Sequence, residues 1–264
     1  MGRFADNRLD RLTQAAKELS ETTGQTCIPV QADVRDPKSI QEAVRKTIEK
    51  FGRIDFVVNG ALRTFYKMIH FGLIFVPAAS GAAGNFLAPI SGLSENAFRT
   101  VMEIDTIGTY NTIKATIAHV RASKGSYIQV SATLHYQGTP YQAHVSAAKA
   151  GVDALSAVLA VEEGPHGVRS NVIAPGPIGN TEGMDRLSLK GDDPDSHPFP
   201  VGRMGHVQDV ANATVFLFSD AAAYITGQVL PVDGGFEHLR GSSIPYPKGV
   251  LDPASISNLV KGKL

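Results

Sequence analysis

The chain has 264 residues, 43% of them hydrophobic and 19% charged, the length and apolar content of one α/β domain with a full core. Its 25 basic and 25 acidic residues cancel, which excludes the basic footprint of a nucleic-acid binder and a strongly charged surface. A single cysteine, Cys27, excludes an internal disulfide, makes a reducing compartment the default and reads as a buried strand residue. No signal peptide is visible at the N-terminus, and the most apolar run, Met68 to Ala79, is too short to span a bilayer. The expectation is a soluble protein with neither nucleic acid nor membrane as partner, without internal repeats.

In chain order, residues 7–20 read as a helix, Thr26 to Ala32 as a strand closed by Asp33-Val34, and Pro37 to Phe51 as a second helix. The apolar core IDFVV then predicts a parallel strand ending in the turn Asn59-Gly60-Ala61. Residues 62–82 have neither helical nor strand period, and an apolar loop of that length inside a compact domain is suspect. Removing them would join the flanks as NGAAGNF, so they read as an insertion encoded by unspliced intron; a substrate lid is the other reading. From residue 90 to 120 the pattern is helical, with Ser94 as N-cap and Asp105 at the centre, three residues before Gly108.

GSYIQVSA is a buried strand ending at Ser131, followed by a loop holding Gly138 and Pro140. Apolar positions 145, 148, 152, 155 and 159 then have helical spacing, with Lys149 one turn in. The strand VRSNVIA leads into Pro175-Gly176-Pro177-Ile178, where the prolines stiffen the backbone and the glycine permits close approach. Residues 190–200 read as loop, 206–220 as a helix, and ITGQVLPVDGG as the last strand. Residues 1–241 thus form one domain and 242–264 a polar tail. By itself each polar residue has an ordinary reading: a mid-helix Asp on a solvated face, a Ser closing a strand as a turn residue, an Arg on an exposed helix.

Strand, Ser131, helix with Lys149, strand and Pro-Gly resemble the catalytic half of the short-chain dehydrogenase/reductases, which hold a nicotinamide cofactor on a doubly wound, Rossmann-type parallel sheet. That fold opens with a strand, a Gly-rich turn, a helix and a second strand; the chain starts at Met1-Gly2-Arg3 and is read as lacking this first unit. The family places a Tyr four residues before its Lys, where this chain has Val145, and an Asn where it has Asp105. Together AAGNF, SENAF, MEIDTIGTYN, VSATLHYQG, SAAKAGVDA, EEGPHGVRSN and APGPIGNTEG resemble the peroxisomal 2,4-dienoyl-CoA reductases. The resemblance implies NADPH-dependent reduction of 2,4-dienoyl-CoA to 3-enoyl-CoA, an auxiliary step in breaking down unsaturated fatty acids. Hydride adds at the far end of the diene, negative charge spreads to the thioester oxygen, and a proton goes to Cα, so no alkoxide calls for a phenol.

On that reading Asp105 orders a proton-donating water, Lys149 binds the nicotinamide ribose and stabilises developing charge, and Ser131 donates to substrate or nicotinamide. Cofactor contacts are implied at Arg3 (the 2′-phosphate), Asp33 and Val34 (adenine), Asn59 (ribose), Pro175, Gly176, Pro177 and Ile178 (nicotinamide) and Thr181 (pyrophosphate). Phe86, Ser94 and Asn96 fall at the acyl-CoA contacts, Arg186 near the CoA phosphates, and Arg35 where an acidic substrate tail would come. Resemblance also implies a homo-oligomer, and the ending Gly262-Lys263-Leu264 is one residue from the peroxisomal address Ser-Lys-Leu, against a cytoplasmic alternative. Two further readings stay open: a 3-oxoacyl thioester reductase in which Tyr136 or Tyr141 replaces the missing phenol, and a truncated product without activity.

Overall fold

The computed structural model describes residues 6–60, 86–181 and 199–238, with Asp252 and Ser255. Arg3, residues 62–82, Arg186 and nearly all of 242–264 therefore lie outside the described residues. Four parallel strands, β1 (Phe56–Asn59), β2 (Ser126–Val130), β3 (Arg169–Pro175) and β4 (Val229–Val232), lie side by side in that order. Helices α1 (Asp6–Thr23), α2 (Pro37–Phe51), α3 (Glu95–Met102), α4 (Gly108–Ser123), α5 (Ala143–Glu163) and α6 (Val207–Phe218) flank them. The helices expected at 37–51, around Lys149 and from residue 206 form where their apolar spacing places them.

Local chemistry sets the helix ends. Asp36 caps α2 by accepting from the Lys38 amide at 3.0 Å, Pro37 occupies the first turn, and Gly52 closes the helix at φ 78°. Ser94 caps α3 by accepting from the Ala97 amide at 3.2 Å. His206 and Asp209 form a reciprocal capping box on α6.

Side chains alternate across the pleat, so each strand feeds two cores. Val57 and Tyr127 face one way and pack with Val34, Ile40, Val44, Val120 and Leu159 beneath α2, α4 and α5. Val58, Ile128, Val130 and Ile173 face the other way and pack with Val210, Ala211 and Leu217 of α6. This two-sided covering is the doubly wound arrangement. Tyr127 is fully buried, and its hydroxyl lies 2.8 Å from Thr116 Oγ1 of α4, so the aromatic ring fills the core without stranding its polar tip. Arg121 of α4 donates through Nε and Nη2 to Glu163 of α5, each at 2.5 Å, tying the two helices at their far ends.

One expected strand is absent. Thr26 to Ala32 joins no ladder among the described residues. The physical reason lies partly in Pro29, which has no N–H to offer a ladder, and partly in local competition: the Cys27 amide donates to Ser20 Oγ at 3.0 Å, within a helix-to-loop junction. Cys27 is accordingly half-buried in a loop, not a strand residue, and burial pushes its thiol pKa up, away from reactivity.

Close approach of the start of β2 to the residue just before β1 is possible only without a side chain at Gly125, where a Cβ would land on the Asp55 carbonyl oxygen. Since backbone cannot move aside as a side-chain tip can, Gly125→Ala is expected to destabilise the fold by about 3 kcal/mol. Thermal or urea unfolding of the variant beside wild type checks this; a change below about 0.5 kcal/mol, within the scatter of surface substitutions, would contradict it.

Candidate active site

The α3–α4 helical run is interrupted by a five-residue π segment, Glu103–Ile107, in which the Gly108 amide reaches back to the carbonyls of Asp105 and Glu103. The wider turn re-aims its side chains, and π segments of this kind gather at functional sites. Here Asp105, a residue that periodicity alone leaves on a solvated face, points inward and is 1% exposed. Thr106 Oγ1 donates to the Ala148 carbonyl at 2.9 Å and so pins the segment to α5. Gly151 of α5 lies under Thr106, where a Cβ would come within 2.8 Å of the threonine methyl. Gly108 lies against Val34, whose Cγ2 would be 2.6 Å from an added Cβ, and Asn111 Nδ2 donates to the Val34 carbonyl at 2.9 Å.

From α5, Lys149 reaches into the same interior. Its Nζ is 3.3 Å from Asp105 Oδ2 and donates to the Val130 carbonyl at 3.1 Å. The lysine is 8% exposed, so this is a buried ion pair, and among the described residues neither Asp105 oxygen accepts a hydrogen bond. Val145, one turn earlier, packs with Val101 and Ala148 and is 3% exposed. The position that the family fills with a phenol is therefore apolar and closed. Tyr136 does not replace it: its hydroxyl donates to Asp153 Oδ2 at 3.1 Å, and burial beside that carboxylate pushes its pKa up, disfavouring the phenolate. Tyr141 contributes its carbonyl to the Ala88 amide at 3.2 Å and holds a left-handed backbone, φ 67°.

Among the described residues several further buried polar atoms have no hydrogen-bond partner. Ser131 Oγ at the end of β2, both side-chain atoms of Asn59 at the end of β1, and Gln142 Oε1 at the start of α5 are among them. Buried polar groups are ordinarily paired, so an unpaired set at the carboxyl ends of parallel strands is the donor and acceptor array of a ligand crevice. These residues fit a nicotinamide nucleotide. Gly60 allows the end of β1 to approach β2, since a Cβ there would meet Val130 Cβ at 2.5 Å.

At the other side of the crevice Pro175-Gly176-Pro177-Ile178 is held firmly. The Gly176 amide donates to the Val232 carbonyl at 3.1 Å, the Gly205 amide to the Pro177 carbonyl at 3.1 Å, and the Gly179 amide to the Gly205 carbonyl at 2.9 Å. Thr181 Oγ1 donates to the Ile178 carbonyl at 2.8 Å. Asp233 stands behind Gly176, its carboxylate accepting from the Gly235 and Glu237 amides at 2.9 and 2.7 Å.

Other candidates take different places. Arg35 and Asp33 are partners of each other through two hydrogen bonds, Nε to Oδ1 at 3.0 Å and Nη2 to Oδ2 at 2.6 Å, both side chains about half exposed. Val34 is buried between them. Ser94 is engaged in its cap, Asn96 sits exposed in the first turn of α3, and Phe86 stacks on His144 with ring centroids 4.5 Å apart. Sequence reasoning gave no role to His144 or Asn111, and only the packing shows that they touch Phe86 and Val34.

Comparison with known proteins agrees with this geometry. A family model described as enoyl-(acyl carrier protein) reductase matches residues 4–237. The chain is 46% identical over 234 residues to a protein of Saccharomyces cerevisiae named peroxisomal 2,4-dienoyl-CoA reductase SPS19, covering 87% of this chain and 73% of that one. It is 44% identical over 235 residues to the peroxisomal 2,4-dienoyl-CoA reductase of Danio rerio, covering 88% and 71%. Among solved structures, a short chain dehydrogenase from Bacillus anthracis superposes with a TM-score of 0.69 at 35% identity, over 90% of this chain and 84% of that one. With a parallel sheet covered on both faces, a crevice at its strand ends and matches of this extent, the chain belongs to the short-chain dehydrogenase/reductase family, whose chemistry uses a nicotinamide cofactor.

Proposed function

We propose that the protein is an NADPH-dependent reductase that converts 2,4-dienoyl-CoA to 3-enoyl-CoA in the peroxisome, as part of the breakdown of unsaturated fatty acids. The observation that carries this reading is the buried Asp105–Lys149 pair beside a valine where the family's phenol would stand. Relatives at 40–46% identity bear the name of that activity. Bound NADPH supplies the hydride. Asn59, Ser131, Lys149 and the turn Pro175 to Ile178 are the residues that would hold it, with Asp33, Val34 and Thr181 toward its adenosine and pyrophosphate.

The chain's own part is charge and proton handling. The Lys149 ammonium, fixed by the Val130 carbonyl and Asp105, presents positive charge where negative charge collects on the substrate. Asp105, with lone pairs not taken by other donors, is an acceptor able to hold a water O–H and aim that water's other proton at Cα. Val145 donates nothing and keeps the site dry on that side. Phe86, Ser94 and Asn96 border the acyl-CoA. In this reading the protonation is of carbon, so a carbonyl-reducing phenol is unnecessary.

Two outcomes test it. Purified protein is expected to oxidise NADPH, followed at 340 nm, with a 2,4-dienoyl-CoA and not with a 3-oxoacyl-CoA; the reverse preference would assign it to carbonyl reduction, and no turnover of either would make it an inactive product. Asp105→Asn keeps the shape of the side chain and removes its charge, and is expected to lower kcat by about 100-fold or more while NADPH binding measured by calorimetry stays within about twofold. A variant with wild-type kcat would remove Asp105 from the mechanism.

A further inference from the structure

His144 is the second residue of α5, immediately before Val145 and five before Lys149. Its ring is 0% exposed and lies against Phe86, with centroids 4.5 Å apart and planes at 26°. It also sits close to the Phe86 backbone carbonyl, without reaching hydrogen-bond geometry at either ring nitrogen. The neighbouring segment is fastened in the same region, because the Ala88 amide donates to the Tyr141 carbonyl just ahead of α5. Residues 86–88 are therefore held to the start of α5 twice, by a backbone bond and by an aromatic stack.

Electrostatics adds a second role to this packing. Burial pushes the His144 pKa below that of an ordinary histidine, while the nearby negative charge of Asp105 acts in the opposite sense. Among the described residues Asp105, on the π segment, is the charged group whose field reaches the ring; Lys149 stands on the ring's own helix, and the stacked partner, Phe86, is uncharged. A neutral imidazole leaves the Asp105 carboxylate to Lys149. An imidazolium in the same place would be a second cation competing for that carboxylate, in surroundings too poor in water to screen it.

We propose that His144 is a positioning residue of the acyl-CoA site: its uncharged ring holds Phe86 against the bound acyl group and reserves Asp105 for Lys149, so that protonation of His144 switches the reaction off on the acid side. The proposal rests on the functional reading above for the identity of the substrate. The sign follows from a depressed pKa: stability begins to decline as pH falls through the range where the unfolded chain takes up a proton, near 6.5, whereas the organisation conferred by the neutral ring is lost only at lower pH, as the pH falls through the folded-state value.

The test uses the full chain, with His144→Ala and His144→Phe. His144→Ala removes the stack and is expected to raise KM for a 2,4-dienoyl-CoA roughly tenfold, the size of effect one aromatic pair supplies. His144→Phe restores the stack but cannot take a proton: it is expected to recover most of that KM and to lose the acid limb of the kcat/KM profile that wild type shows. Equal KM in wild type and His144→Ala, or an acid limb unchanged in His144→Phe, would overturn the proposal. Imidazole NMR of wild type, assigned by the resonance missing from His144→Phe, reads the proton directly and is expected to show a midpoint below 6.5; an imidazolium at pH 7 would overturn the proposal whether or not the protein turns over. Failure of the functional reading looks different: wild type then leaves the dienoyl-CoA unreduced, and the NMR midpoint, with calorimetric binding of the dienoyl-CoA to the three proteins, still decides the role of His144.

Discussion

A lysine and an aspartate, both nearly out of contact with water, lie 3.3 Å apart at the centre of this molecule, and much of the surrounding structure exists to hold them there. Burying two charges costs several kcal/mol for each, and their attraction offsets this only where the geometry is fixed. The fixing comes from three elements. The π segment turns Asp105 inward, Thr106 ties that segment to the α5 backbone, and the Val130 carbonyl at the end of β2 takes one of the lysine protons. Gly108 and Gly151 allow the helices to approach closely enough for this; a methyl group at either would meet Val34 or Thr106 below 3 Å.

On the proposed function the pair also accounts for a valine at the position that a family member reducing carbonyls gives to tyrosine. Val145 packs with Val101 and Ala148, so the wall next to Lys149 is apolar, and the hydroxyl of Tyr136 turns to Asp153. With no phenol present, Asp105 is the carboxylate beside the ammonium, to which the proposed function gives the proton-donating water. Charge is thereby concentrated at one carboxylate, which makes neighbouring titratable groups consequential; His144, stacked on Phe86, has its pKa pushed down by burial, which favours the neutral ring beside that carboxylate.

Much of the scaffold was legible before any coordinates. Period-3.6 apolar spacing, an Asp-Pro start and a Gly stop are sufficient for α2, and short runs of β-branched residues are sufficient for β1, β2 and β3, because these signals reflect backbone preferences and burial that act locally. The same logic failed for Thr26 to Ala32. A strand exists only as half of a ladder, and a segment interrupted by Pro29 whose Cys27 amide is taken by Ser20 can read as β from composition and still remain unpaired.

For the site, sequence by itself determined the inventory: an Asp in place of Asn, a Val in place of Tyr, a Lys one turn into a helix, a Ser at a strand end and a Pro-Gly-Pro turn. It also located Gly108 three residues after Asp105. Only the tertiary structure decided that Asp105 and Lys149 meet, that Arg35 turns to Asp33, that Tyr136 turns to Asp153 and that His144 supports Phe86. Those facts depend on contacts between residues many positions apart in the chain, whose distances are set by how helices seat on a twisted sheet, and no local spacing encodes them.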